Sequence, residues 1–234
     1  MRVDGRNLNQ VRDIQIEKNY TRNSPGSVLI SYGNTRVICM ANFEEKVPFF
    51  LKGKEEGWLT AEYSMLPGAT MPRSSREVKR GKPTGRTSEI QRLIGRSLRA
   101  VIDFKALGEY TISIDTDVIQ ADGGTRTAAI TGSMVALLDL VEYMVKEGYL
   151  EESPIIEKIA AVSVGKWQGQ ILSDLCYEED SNAELDMNVV MTESNRIVEV
   201  QATGEQTTIT RDDFNSLLDS AQDSIEQVFK SVYE

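Results

Sequence analysis

The sequence predicts an α+β domain in which helices pack on mixed sheets. Three observations point there: apolar runs that come in turn-linked pairs, a helix-period pattern after each set of pairs, and the same order in both halves of the chain. A length of 234 residues suffices for one substantial core. No linker or low-complexity tract divides the chain, so residues 1–234 read as a single domain.

Residues 28–32 and 35–40 flank Gly33-Asn34, a two-residue hairpin signal. Residues 43–57, charged and broken by Pro48, Gly53 and Gly57, read as a loop, and 58–65 as another strand. Three prolines and three glycines among basic residues make 67–85 a long irregular loop, and loops of that length are usually functional or order on assembly. From Glu89 a helix is expected, with Ile90, Leu93, Ile94, Leu98 and Val101 on one stripe and Arg92, Arg96 and Arg99 on another face. Residues 111–119 alternate as a strand. Residues 126–146 form a helix that is apolar nearly all round, hence central. In the second half, 159–164 pairs with 171–177 across Gln168-Gly169, and 186–192 with 197–201 across Ser194-Asn195. Thr210 is the expected N-cap of a last helix with Phe214, Leu217, Leu218, Ala221, Ile225, Val228 and Phe229 on one face.

Composition narrows the chemistry. Hydrophobic content of 40% and charged content of 26% suit an ordinary globule. No apolar run reads as reaching the roughly 20 residues of a bilayer span, and the first six residues lack the apolar core of a secretion signal. Cys39 and Cys176 each sit in an apolar strand-like run and read as small core residues rather than a disulfide. A cytoplasmic protein with no membrane partner is expected. Histidine is absent, which excludes Ser-His or Cys-His nucleophilic catalysis and imidazole metal sites. Proton transfer near neutral pH then falls to carboxylates, Lys, Tyr or metal-bound water.

The net charge of −10 argues against a nucleic-acid partner until its distribution is considered. Residues 71–105 hold ten Lys/Arg and three Asp/Glu, a local balance of +7 on an acidic body. Such an island can bind a polyanion locally; a helix face of solvated arginines is the plainer alternative.

Two segments point to inorganic phosphate. Gly85-Arg86-Thr87 precedes a helix, and residues 120–127 (Gln-Ala-Asp-Gly-Gly-Thr-Arg-Thr) lie between a strand and a helix. Paired glycines let a backbone approach an anion, and a helix start offers unpaired N–H groups and a positive dipole end. Arg86 and Arg126 can then grip the same anion. A tight turn with solvated arginines is the competing reading of these residues. A third segment, 178–186, is acidic. Asp180 is expected to close one strand region and Asp186 to open the next, so a short connection returns both carboxylates to one place. That pair suits a hard divalent cation, Mg²⁺ or Mn²⁺, although acidic turns are commonly just solvated.

Taken together, residues 61–67, 85–94, 120–127 and 178–188 resemble the ribonuclease PH family, in motif order and spacing across essentially the whole chain. The resemblance implies a ribosomal protein S5 domain 2-like fold, a homohexameric ring built as a trimer of dimers, and phosphorolysis of RNA 3′ ends, tRNA precursors among them. Nucleoside diphosphates are the product, and the reaction also runs in reverse. It further implies that Arg86, Gly124, Thr125 and Arg126 bind phosphate, that Asp180 and Asp186 serve metal binding and acid catalysis, and that Arg73 and Arg76 serve RNA contact and assembly. Arg92, Arg96 and Arg99 join the same expected RNA-binding and assembly surface. One departure stands out: this chain reads Leu66-Pro67-Gly68-Ala69-Thr70 where the family commonly has Arg in place of Gly68. Loss of that guanidinium bears on ring stability and tRNA affinity, not on the phosphate site. The other reading of the same fold is a non-catalytic RNA-binding ring subunit; an unrelated phosphate-binding metabolic enzyme is a third.

Overall fold

The computed structural model describes residues 2–205 and 207–234, apart from the side chain of residue 80. Two sheets enclose a central helix. The first has five strands, β1 (Ile14–Lys18), β2 (Gly26–Tyr32), β3 (Thr35–Glu44), β4 (Trp58–Met65) and β5 (Thr111–Gln120), in the order β1-β2-β3-β5-β4. Only β4 and β5 run parallel; the other neighbours are antiparallel. Between β4 and β5 lie α1 (Gly85–Arg99) and the short α2 (Phe104–Leu107). After β5 comes α3 (Thr125–Lys146). The second sheet follows, with β6 (Ile159–Trp167), β7 (Gln170–Ser173), β8 (Leu185–Thr192) and β9 (Ile197–Gly204) in the order β7-β6-β8-β9, and α4 (Tyr177–Asp180) between β7 and β8. The last helix is α5 (Arg211–Tyr233).

α3 packs against β2 and β3 of the first sheet and β6 of the second, which is why it is apolar all round. A single hydrophobic cluster therefore runs through both halves, from Ile30 and Ile114 through Ile130 and Leu137 to Val162 and Val189. β5 alternates as expected, burying Ile112, Ile114, Thr116 and Val118. α5 starts where its cap predicts: the Thr210 hydroxyl accepts from the Asp213 N–H at 3.1 Å while the Thr210 hydroxyl donates to the Asp213 carboxylate at 2.6 Å.

Five expectations are corrected. β1 was not anticipated, because Ile-Gln-Ile-Glu-Lys carries only two apolar residues and forms a mostly exposed edge. Helix α1 begins at Gly85, four residues before Glu89. Thr84 caps it by accepting from the Thr87 N–H, so Arg86 belongs to its first turn rather than to the loop before it. The expected strand 171–177 stops at Ser173. Asp174 turns the chain with φ +50°, and Cys176 is the N-cap of α4 rather than a strand residue, though both cysteines are buried and free. Asp180 accordingly ends a helical turn, not a strand, while Asp186 does lie at the start of β8. Finally, α3 is long and apolar enough, by length and composition alone, to cross a bilayer, contrary to the reading that no run is. Here it is the mostly buried core helix.

Candidate active site

Arg86, Gly124, Thr125, Arg126, Asp180 and Asp186 all line one cleft of about 530 Å³. They come from three distant segments, and the fold explains how each arrives. α1 and α3 pack together with their N-termini at the cleft, which brings Arg86 beside Thr125 and Arg126. α4 turns Asp180 into the same space, and the start of β8 supplies Asp186.

The turn into α3 depends on its glycines. Gly123 and Gly124 have φ of +71° and +62°. A Cβ on Gly123 would meet the Leu175 carbonyl oxygen at 2.5 Å, so this turn also has to lie against the segment leading into α4. Tyr63 donates its hydroxyl to Thr125 Oγ1 at 3.0 Å, fixing the first residue of α3 from β4.

Both helices present the wrong charge for their own stability. Neither has an acidic residue in its first turn, and each carries an arginine there instead. A cation at a helix N-terminus opposes the macrodipole and costs roughly 0.3–1 kcal/mol. Arg126 is held loosely, donating to Glu89 at 3.4 Å and to Gln201 at 3.3 Å, and Arg86 is exposed. Two guanidiniums and two positive helix ends thus face one space, which is the electrostatics of an anion site.

The opposite wall is acidic. Burial, then Asp180, pushes the Asp186 carboxyl up to about 6, against the pull of Arg126. Asp180 is also raised, by burial first, with Arg86 and Arg126 opposing. Asp186 Oδ2 accepts from Asn188 Nδ2 at 3.0 Å, whereas its Oδ1 is buried with no hydrogen-bond partner among the described residues. An orphaned carboxylate oxygen beside a second carboxylate fits a hard divalent cation that takes its remaining ligands from water and substrate. Among the described residues, no group of three or more Asp, Glu, Cys or His side chains is placed to hold a metal.

Sequence reasoning missed Ser163, Asn188 and Glu205, which also line the cleft. Asn188 was within reach, since period-two alternation puts it on the same face as Asp186. Ser163 stands opposite Asn188 only once β6 and β8 are in register, and Glu205 arrives through the return of β9. The remaining arginines are not brought to the cleft. Arg73 and Arg76 are exposed in the 70–84 loop, and Arg92 is exposed on α1. Arg96 pairs with Glu199. Arg99 donates to the Leu59 carbonyl at 3.0 Å and lies over the Trp58 ring.

Fold and cleft together define a protein built to handle an anion between two helix starts and a carboxylate pair. Comparison with known proteins agrees. Residues 10–141 match the model for 3′ exoribonuclease family, domain 1, and residues 158–224 match that for domain 2. The chain is 53% identical to "Ribonuclease PH" of Corynebacterium kroppenstedtii, over all of this chain and 92% of that protein. In fold it is similar to rice (Oryza sativa) Rrp46, with TM-score 0.79 and 17% identity over 98% of this chain and 97% of that one. It is similar also to the Archaeoglobus fulgidus exosome with RNA bound to the active site, with TM-score 0.81 and 19% identity over 98% and 91%. The chain belongs to the ribonuclease PH family of 3′ exoribonucleases. Its activity is that of a phosphorolytic 3′-to-5′ exoribonuclease with inorganic phosphate as co-substrate.

Proposed function

We propose that Arg86, Arg126 and the backbone N–H groups of Gly124 and Thr125 bind the attacking phosphate, and that Asp180 and Asp186 face the scissile phosphodiester. The observation that carries this reading is the convergence of all six residues on one cleft, cationic on one wall and acidic on the other. Phosphorolysis brings an anion to an anion. The two arginines offset that repulsion and steady the equatorial oxygens as charge redistributes. A phosphate oxygen forms the new P–O bond, the bond to the ribose 3′ oxygen of the preceding nucleotide breaks, and a nucleoside diphosphate leaves. The 3′ oxygen needs a proton. Burial and the neighbouring Asp180 raise the Asp186 carboxyl to about 6, and we assign the delivery of that proton to it. In their charged forms Asp180 and Asp186 would hold Mg²⁺ or Mn²⁺, and such an ion would supply neutralisation of charge on the scissile phosphate.

Precursor tRNAs with 3′ extensions are the substrates we infer, acted on in the cytoplasm by a homohexamer, a trimer of dimers, in which the whole chain acts as one module. Exposed Arg73, Arg76, Arg92 and Arg96 supply the RNA-facing charge, and Arg99 ties α1 to β4 through the Leu59 carbonyl. A 3′-extended tRNA incubated with and without inorganic phosphate tests the substrate. Nucleoside diphosphates that appear only with phosphate support the reading, and an untouched tRNA beside a trimmed single-stranded RNA overturns tRNA as substrate. Sedimentation at working concentration tests the ring.

A further inference from the structure

Behind the cleft, the irregular segment before β1 carries two arginines that are almost completely buried, Arg2 at 4% and Arg12 at 6% exposure. Their partners Glu179 and Asp174 are fully buried. Arg12 grips Asp174 side-on, with Nε to Oδ2 at 2.8 Å and Nη2 to Oδ1 at 2.7 Å, while its own backbone N–H donates to Oδ2 at 2.8 Å. The remaining donors reach forward: Nη1 to the Asp122 carbonyl at 2.5 Å and Nη2 to the Gly123 carbonyl at 3.5 Å. Those two carbonyls belong to the residues immediately before Gly124-Thr125-Arg126. Thr35 supports the same turn, donating its hydroxyl to the Gly123 carbonyl at 2.6 Å. Arg2 repeats the device on the other wall, forming a two-pronged pair with Glu179, the residue before Asp180.

A buried ion pair is a poor source of stability, because desolvation offsets most of its attraction. Its strength is in geometry: a planar fork fixes direction and distance together. Asp174 also sits in a left-handed backbone conformation that an aspartate adopts at some cost, and it is held there by Arg12 and by Arg6, which donates to its carbonyl at 3.0 Å. We propose that Arg12 is a positioning residue for phosphate: braced on Asp174, its guanidinium sets the Asp122–Gly123 turn so that the start of α3 faces the cleft. This rests on the assignment of Gly124, Thr125 and Arg126 to phosphate.

Arg12→Gln alone leaves the buried Asp174 carboxylate with only the long 3.5 Å contact to Arg6 among the described cations, and lowers stability. Arg12→Gln combined with Asp174→Asn removes that charge and recovers stability, yet still lacks the forward reach of the guanidinium. The double variant is therefore expected to raise the KM for phosphate about tenfold or more, with kcat at saturating phosphate and RNA affinity without phosphate nearly unchanged. Arg12→Lys, which keeps the charge and loses the fork, is expected to raise the KM in the same direction and serves alone if the double variant does not fold. Wild-type phosphate KM in a stable double variant, or in Arg12→Lys, overturns the proposal. Arg126→Ala separates the two layers. If it too has wild-type phosphate KM, the phosphate site itself is misassigned; if its KM rises while the Arg12 variants stay at wild type, only the positioning role fails.

Discussion

Arg126→Ala separates a binding role from a structural one, because the two roles predict opposite stability changes. Within the free protein and among the described residues, Arg126 makes only the two long contacts to Glu89 and Gln201, at 3.4 and 3.3 Å. It sits in the first turn of α3, where a cation is unfavourable and alanine is the better helix former. Truncation should therefore leave the melting temperature unchanged or slightly raised. Phosphate should feel the loss in full, since a hydrogen bond between charged groups contributes ~1.5–3 kcal/mol. That corresponds to a KM for phosphate higher by about 10- to 150-fold. The assay follows release of labelled nucleoside diphosphate at varied phosphate and fixed RNA, beside RNA affinity measured without phosphate and a urea melt. Wild-type phosphate dependence would refute the assigned site. A raised KM accompanied by an equal loss of RNA affinity and of stability would refute the electrostatic account, leaving a merely structural arginine.

Other consequences follow from the same geometry. Asp186→Asn should abolish turnover while leaving the fold and phosphate affinity nearly intact, because Asn keeps an oxygen for the Asn188 amide but neither carries nor releases the proton; full activity of this variant in excess chelator would sink the role. Asp174 is pushed up by burial but pulled further down by Arg12 and Arg6, so its folded-state carboxyl titrates below the ordinary 3.8. Its contribution is complete above that value and lost as pH falls through the lower folded value, so the urea-stability gap between wild type and Asp174→Asn should narrow below about pH 4, and a gap that is constant with pH refutes the pairing. Gly68 has open space where a Cβ would stand and lines the groove beside Arg86, so Gly68→Arg should fold normally, tighten tRNA binding in a salt-sensitive way and shift sedimentation toward the hexamer; unchanged affinity and unchanged sedimentation make Gly68 a tolerated difference.

What was legible in the sequence was what repeats locally. The Gly33-Asn34 hairpin, the alternation of β5, the all-apolar α3 and the Thr210 cap each rest on residues within a turn or two of one another. Six of the residues lining the cleft were named from motifs and the family resemblance they carry, and the fold brings them together. Long-range pairing was not legible. The Arg12–Asp174 pair spans 162 positions between an irregular segment and a residue expected in a strand. The same buried pair helps to end β7, so missing it also lengthened the strand. Glu179 read as part of a solvated acidic turn and is instead fully buried against Arg2, because the two-pronged pair satisfies a charge that exposure would otherwise demand.

Fold alone does not separate an active phosphorolytic enzyme from a ring subunit that only binds RNA, since chains at 17–19% identity share this architecture. The separating argument is energetic. A protein selected only for its scaffold gains nothing from an arginine in the first turn of each of two helices that meet at one cleft, where each opposes a helix dipole. Nor does it gain from a carboxylate whose buried oxygen lacks a donor and whose charged form is disfavoured up to about pH 6. Replacing any of these with a neutral side chain would cost the scaffold little or relieve it. Three destabilising placements converge on one volume, and each is relieved by a ligand of the kind phosphorolysis requires: an anion at the arginines, and a proton or cation at Asp186. Stability given up at one place, in complementary signs, is the physical mark of a site kept for its chemistry.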